Sequence, residues 1–278
     1  MELVKALPPA DPLFMCVDFI YADPPFFTRR DFSGERRSAK LRDYEQKDAL
    51  DGTKPAHNDT ETLRFIDRWQ GGRHEYLEWL EHRIRSMKRL LAPRGVFLLH
   101  LDWHAVHYAK VLCDSIFGDD NFQNELIWYY QTGGASKDRF SRKHDTILLY
   151  SHAPTFHFDG NAIAIPRTPK ALKRARSGKG ARIAATDTHK NPDDVLTVPA
   201  LNPMALERTG YPTQKPLALL ELLIKSLCPE GGSVADLFCG SGTTLLAAKR
   251  LGRRYLGADL NPAAVTMTRA RLAAEPSP

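Results

Sequence analysis

Residues 233–244 read Ser-Val-Ala-Asp-Leu-Phe-Cys-Gly-Ser-Gly-Thr-Thr, an apolar run that breaks into a Gly-x-Gly turn and then into residues able to open a helix. No other stretch constrains the fold as strongly. Glycine reaches positive φ without a Cβ clash, so the backbone can turn tightly and approach a ligand. About 20 residues on, a second apolar run, Tyr255-Leu256-Gly257-Ala258, ends at Asp259, and Asn261-Pro262 can start another helix. Neighbouring parallel strands need a crossover, usually a helix. The predicted fold class is therefore α/β, with a doubly wound, Rossmann-like sheet.

The same rhythm runs through most of the chain. Strands are predicted near 17–22, 96–101, 126–130, 146–150, 233–238 and 254–258. Helical spacing marks 74–91, where Tyr76, Leu77, Leu80, Ile84, Met87, Leu90 and Leu91 recur at steps of three and four until Pro93 and Gly95. Helices are also predicted over 103–117, 243–252 and 262–274, with another opening near Pro216. The residues after Met1 read as a helix. Two stretches break the rhythm. Residues 28–72 form a long polar excursion carrying Arg29, Arg30, Arg36, Arg37, Lys40 and Arg42. Residues 152–208 read as an inserted module, with Arg167, Lys170, Lys173, Arg174, Arg176, Lys179 and Arg182 and no acid between Pro166 and Arg182. The predicted organisation is 1–151, 152–208 and 209–278.

The formal net charge of +6 and pI of about 9.1 favour a polyanionic partner. No apolar run approaches the roughly 20 residues of a membrane helix, and no secretory signal opens the chain. A cytoplasmic location is expected. Cys16, Cys113, Cys228 and Cys239 are scattered without a C-x-x-C pair, which argues against a zinc or disulfide framework.

The turn at 239–243 lacks the third glycine of the dinucleotide fingerprint and the Lys-Ser/Thr of a phosphate loop. With Asp259 placed to accept ribose hydroxyls, a nucleoside cofactor without phosphates fits, and S-adenosylmethionine (SAM) is one. Candidate cofactor residues are Asp236, Phe238, Gly240, Gly242, Thr243, Asp259 and Asn261. A second signal stands where the strand at 17–22 runs into Asp23-Pro24-Pro25-Phe26, since consecutive prolines end a ladder. A carboxylate and a main-chain carbonyl can hold the two hydrogens of a base amino group and turn its lone pair toward a methyl sulfonium. Asp23 supplies the carboxylate and Pro24 the carbonyl. Pro25 stiffens the turn, and Phe26 can stack on an extruded base.

Together these residues resemble the circularly permuted β-group DNA amino-methyltransferases, adenine-N6 and cytosine-N4, in which the acceptor motif precedes the target-recognition region and the SAM motif comes last. Further resemblance lies in Leu91-Ala92-Pro93-Arg94-Gly95, Asp102-Trp103-His104, Asn124-Glu125-Leu126-Ile127-Trp128, Lys143-His144-Asp145 and the segment from Arg208 to Pro216. It implies a mixed SAM-methyltransferase sheet, with Thr213 and Lys215 near the methionine end of SAM. It also implies double-stranded DNA as partner, phosphate contacts from the basic insert, and a nucleoid-associated role in restriction-modification. A homodimer and a cognate restriction endonuclease stay open. Asp at the first acceptor position is commoner among adenine enzymes, so adenine-N6 methylation is expected, with cytosine-N4 as the alternative. Only six strands are predicted against the family's seven. An edge strand is therefore expected to be missing at the N-terminus, and a DNA-binding protein with weakened or lost catalysis is the alternative of another class. His100, His104 and His107 are read as structural or surface residues, and Trp128, Tyr129 and Tyr130 as core.

Overall fold

In the computed structural model, residues 2–5, 17–34, 63–131, 135–177 and 188–276 are described. Twelve strands and six helices stand among them. The strands are β1 (Glu2–Lys5), β2 (Val17–Ala22), β3 (Asp31–Gly34), β4 (Leu63–Ile66), β5 (Leu91–Leu101), β6 (Phe122–Tyr129), β7 (His144–Ser151), β8 (Ile165–Pro166), β9 (His189–Lys190), β10 (Val195–Leu196), β11 (Ser233–Asp236) and β12 (Arg254–Asp259). The helices are α1 (Gly72–Lys88), α2 (Val106–Phe117), α3 (Pro169–Arg176), α4 (Leu217–Leu227), α5 (Thr243–Arg250) and α6 (Pro262–Ala274).

Eight strands form one mixed sheet in the order β1-β12-β11-β2-β5-β7-β6-β10. The centre is parallel, β12-β11-β2-β5, while β7 runs antiparallel to both β5 and β6. Side chains alternate with the strand period of two. Phe19, Tyr21, Val96 and Leu98 enter the core under α4 and α5. Ile20, Ala22, Phe97, Leu99 and Leu101 enter the opposite core under α1 and α2. The doubly wound α/β expectation holds. The central pair matters most for function. β2 and β11 are parallel neighbours at the centre, so the turns that follow Ala22 and Asp236 emerge side by side at the C-terminal end of the strands although some 210 residues separate them in sequence.

Three expectations need correction. Glu2–Lys5 is a strand rather than the start of a helix, and it pairs antiparallel with β12. The sheet edge expected to be missing is therefore filled. The central strand starts at Leu91, ahead of Pro93 and Gly95, because Val17 pairs with Leu91 and donates to the Leu90 carbonyl at 2.7 Å. The register shifts between Val17 and Phe19, where β5 bulges between Leu91 and Val96 to hold the extra residues, with Pro93 facing solvent. The polar excursion is partly regular, since β3 and β4 pair antiparallel. Arg36, Arg37, Lys40 and Arg42 lie outside the described residues.

Within 152–208, β8 and β9 form a small ladder that brackets α3. β10 instead joins the main sheet beside β6, and the indole of Trp128 donates to the Val198 carbonyl at 2.8 Å. Trp128 is buried as expected, but Tyr129 is exposed. No helix among the described residues is long and apolar enough to cross a membrane.

Candidate active site

The two turns share one cleft of about 1210 Å³ beyond the C-terminal ends of the central strands β2 and β11. Asp23, Pro24, Pro25 and Phe26 line it from the acceptor side. Asp236, Phe238, Gly240, Thr243, Asp259, Asn261, Thr213 and Lys215 line it from the other. Of the predicted cofactor residues, Gly242 alone does not reach the surface of the cleft. It caps α5 at φ +76, where a Cβ would lie 2.5 Å from Thr268 Cγ2.

The acceptor turn is held from a distance. Asp67 is fully buried and accepts from the Phe27 amide (3.1 Å), the Thr28 amide (2.6 Å), the Thr28 hydroxyl (2.7 Å) and the Trp69 indole (2.9 Å). These bonds hold Phe27 at φ 64, in the left-handed region. Tyr76 on α1 donates to the Pro25 carbonyl at 2.8 Å. Lys215 Nζ donates to Asp23 Oδ2, and both side chains are largely buried. The other oxygen, Asp23 Oδ1, is buried and has no donor among the described residues. A buried acceptor without a partner costs free energy comparable to a lost hydrogen bond.

Phe26 stacks at 5.7 Å and 22° on His100, which is fully buried at the end of β5. His100 Nε2 lies 3.2 Å from Asp145 Oδ2, and Nδ1 lies 2.5 Å from the Tyr21 hydroxyl. A carboxylate accepts only, so Nε2 donates to Asp145. Burial pushes the Asp145 carboxyl up, but the hydrogen bond and charge of His100 outweigh it and the net shift is downward. Burial, with Asp23, Asp236 and Asp145 nearby, pushes the Tyr21 hydroxyl well up. His100 thus has a structural place, as expected, directly behind the aromatic of the acceptor turn.

The cofactor turn is held locally. Asp236 accepts from the Phe238 amide (3.0 Å) and the Thr244 hydroxyl (2.6 Å). Burial raises its pKa to about 7 against those bonds, with Asp23 and Asp259 adding to the rise. Asp259 accepts from the Gly240 amide (2.8 Å) and the Asn261 amide (2.8 Å), and burial pushes its carboxyl up. Gly240 sits at φ +48, with space for a Cβ closed by the Tyr211 ring at 2.9 Å. Asn261 caps α6 through Ala263, one residue before Pro262. Behind the turn, Arg271 donates to the Ser241 carbonyl at 2.5 Å, and burial lowers its pKa to about 10.

The cleft also takes in residues that the sequence did not mark for a role: Trp79 against Phe238, Arg83 over Trp79, and Asp102, Trp103 and Arg142 at the mouth. Burial raises the Asp102 carboxyl, while bonds from His104 partly oppose it. An aromatic and an acid recurring near strand ends were the available signal, but nothing local linked them to Asp23. None of the described basic residues of the insert lines the cleft. Arg167 is partly buried, and Lys170, Lys173 and Arg174 are exposed on or beside α3. The side chain of Arg176, and all of Lys179 and Arg182, lie outside the described residues.

A Gly-x-Gly turn and an Asp-Pro-Pro-Phe turn share one cleft on an α/β sheet, and comparison with known proteins gives the chain its family. The profile described as "DNA methylase", N6_N4_Mtase, matches residues 17–270, and the chain belongs to this family. It is similar to the type II methyltransferase M2.DpnII of Streptococcus pneumoniae, 49% identical over 272 residues, covering 93% of this chain and 83% of the relative. It is also similar to M.ScaI of Streptomyces caespitosus, 30% identical over 213 residues, 72% of this chain and 68% of the relative. Its matches span 61% of M.HpaI and 58% of M.BglII. Among solved structures, the cytosine-N4-specific PvuII DNA methyltransferase shares the fold with a TM-score of 0.58 at 16% identity, over 92% of this chain and 79% of that one. The M1.HpyAVI–SAM complex does so with a TM-score of 0.53 at 20% identity, over 93% and 89%.

Proposed function

We propose that the chain transfers a methyl group from SAM to the N6 amino group of an adenine extruded from DNA. The observation that carries this reading is the single cleft walled by Asp23–Phe26 on β2 and by the Asp236–Asp259 turn region on β11 and β12. SAM fits the donor set. The Asp259 carboxylate suits ribose hydroxyls, the Phe238 ring offers a flat apolar wall, and Gly240 keeps the backbone open to a ligand. Asp236, Thr243, Asn261 and Thr213 complete that side, with Gly242 shaping the turn. When bound, SAM supplies a methyl activated by its sulfonium.

The chain's own residues supply positioning. Asp23 Oδ1 accepts one amino hydrogen of the base, and the carbonyl of Pro24 accepts the other, since the Pro25 carbonyl is engaged by Tyr76. Lys215 holds the second Asp23 oxygen, so the carboxylate presents a fixed lone pair. Phe26, backed by His100, stacks on the base, a contact worth about 1–3 kcal/mol. The exposed cations of α3 serve phosphates, and the segment 152–208 recognises the target. The order of acceptor turn, basic segment and cofactor turn supports a permuted β-group arrangement.

Asp23 and the similarity to YhdJ of Escherichia coli (strain K12), a DNA adenine methyltransferase 24% identical over 268 residues, favour adenine. The fold of the cytosine-N4-specific PvuII enzyme keeps cytosine-N4 as the second reading. The test is to incubate unmethylated DNA with the chain and SAM, digest it and identify the nucleoside. N6-methyladenine is expected, and N4-methylcytosine selects the second reading. Weakened catalysis finds no support, because Glu2–Lys5 occupies the edge whose loss would have motivated it.

A further inference from the structure

The turn between β6 and β7 presents Phe140 with 99% of its surface exposed. Residues 136–141 of it are tied to one another by local hydrogen bonds. The Ser136 amide donates to the Ser141 hydroxyl (3.0 Å), the Ser136 hydroxyl to Asp138 (2.6 Å), and the Arg139 guanidinium grips Asp138 with two bonds at 3.2 and 3.0 Å. Two residues beyond Phe140, the Arg142 guanidinium lies 3.5 Å from the centre of the Trp103 ring, which in turn packs 3.7 Å from His104. Arg142, Trp103 and His104 all line the cleft that holds Asp23. Phe140 thus stands two residues from a side chain that lines the cleft, while its own ring is open to water. Lys137, Arg139, Arg142 and Lys143 flank it in sequence against a single acid, Asp138. An uncovered aromatic flanked by cations matches a partner that offers both anions and flat apolar faces.

We propose that Phe140 is a wedge that enters the base stack of duplex DNA beside the target, filling the space the extruded base leaves, while Arg142 and its neighbours meet the flanking phosphates. This rests on the reading of DNA as substrate. Apolar side chains inserted at a base step offset unstacking of a few kcal/mol, and an aromatic face recovers about 1–3 kcal/mol of it. Trp103 and Arg142 then form the hinge between wedge and cleft.

Phe140→Ala and Phe140→Trp, compared with the unaltered chain on unmethylated plasmid DNA, test this. Phe140→Ala should lower the methylation rate about tenfold, with SAM affinity by calorimetry unchanged. Phe140→Trp should keep the rate, and its added emission, over that of Trp69, Trp79, Trp103 and Trp128, should be quenched when DNA is added. An undiminished rate in Phe140→Ala, or added Trp emission indifferent to DNA, overturns the proposal. So does a change in sedimentation of Phe140→Ala without DNA, which would assign Phe140 to a contact between copies of the chain. Absence of methylation by the unaltered chain would break the proposed function instead, and quenching would still report on the wedge.

Discussion

The two turns of the cleft are built in opposite ways. The cofactor turn is tied by residues no more than 30 positions away: Asp236 to Phe238 and Thr244, Asp259 to Gly240 and Asn261, and Arg271 to the Ser241 carbonyl. The acceptor turn is tied by residues far away in the chain: Asp67 and Tyr76 about 40 to 50 positions downstream, and Lys215 almost 200 away. A locally closed turn can form with its own unit. An acceptor turn closed by distant groups is set only when the whole sheet is assembled. Binding of cofactor and handling of the base should therefore be separable by mutation.

The largest separation should come from Asp259→Ala. If Asp259 meets the ribose as proposed, its loss removes charge-assisted hydrogen bonds of about 1.5–3 kcal/mol each. SAM affinity by calorimetry should fall about a hundredfold, while the rate at saturating SAM recovers most of its value. Lys215→Met should do the reverse. It frees the Asp23 carboxylate, so the saturated rate should fall about thirtyfold, as for a lost electrostatic positioning contact. SAM affinity should change little, and Lys215→Arg should restore part of the rate. A weakened SAM affinity with an unchanged rate would instead place Lys215 at the cofactor's carboxylate. Asp67→Ala strips a buried acceptor from four donors, and chemical denaturation should show a loss of about 2–4 kcal/mol.

The smallest effect concerns pH. Burial raises Asp236 to about 7 in the folded chain, above its ordinary value of 3.8. A carboxyl raised on folding stabilises the fold while protonated, below its unfolded pKa. That contribution is lost as pH rises from about 4 through about 7. Thermal unfolding without SAM should therefore show a fall across that window that Asp236→Asn lacks. An identical pH profile for both chains would remove the effect.

Local closure also explains what the sequence made legible. The Gly-x-Gly turn and the cap at Asn261-Pro262 lie within a few residues of the groups they serve, and the acid at Asp259 lies 19 residues from Gly240, so spacing located them, and the predicted helix at 262–274 has the bounds of α6. The acceptor tetrapeptide was visible because two prolines must end a strand. Its supports were not. Asp67 stood in a stretch that read as polar loop, and nothing near Lys215 pointed to Asp23. The strand at Glu2–Lys5 was missed because its pairing with β12 is set by a partner more than 250 residues away. Propensity is overridden when such a pairing supplies the hydrogen bonds.

Separability comes to its sharpest test at Asp23. The measurement is methyl transfer to DNA by Asp23→Ala set beside its calorimetric affinity for SAM. The account predicts transfer lowered by at least about a hundredfold with SAM bound as tightly as by the unaltered chain. Transfer at the unaltered rate, or loss of SAM binding in step with transfer, would contradict the division of the cleft into two independently built halves.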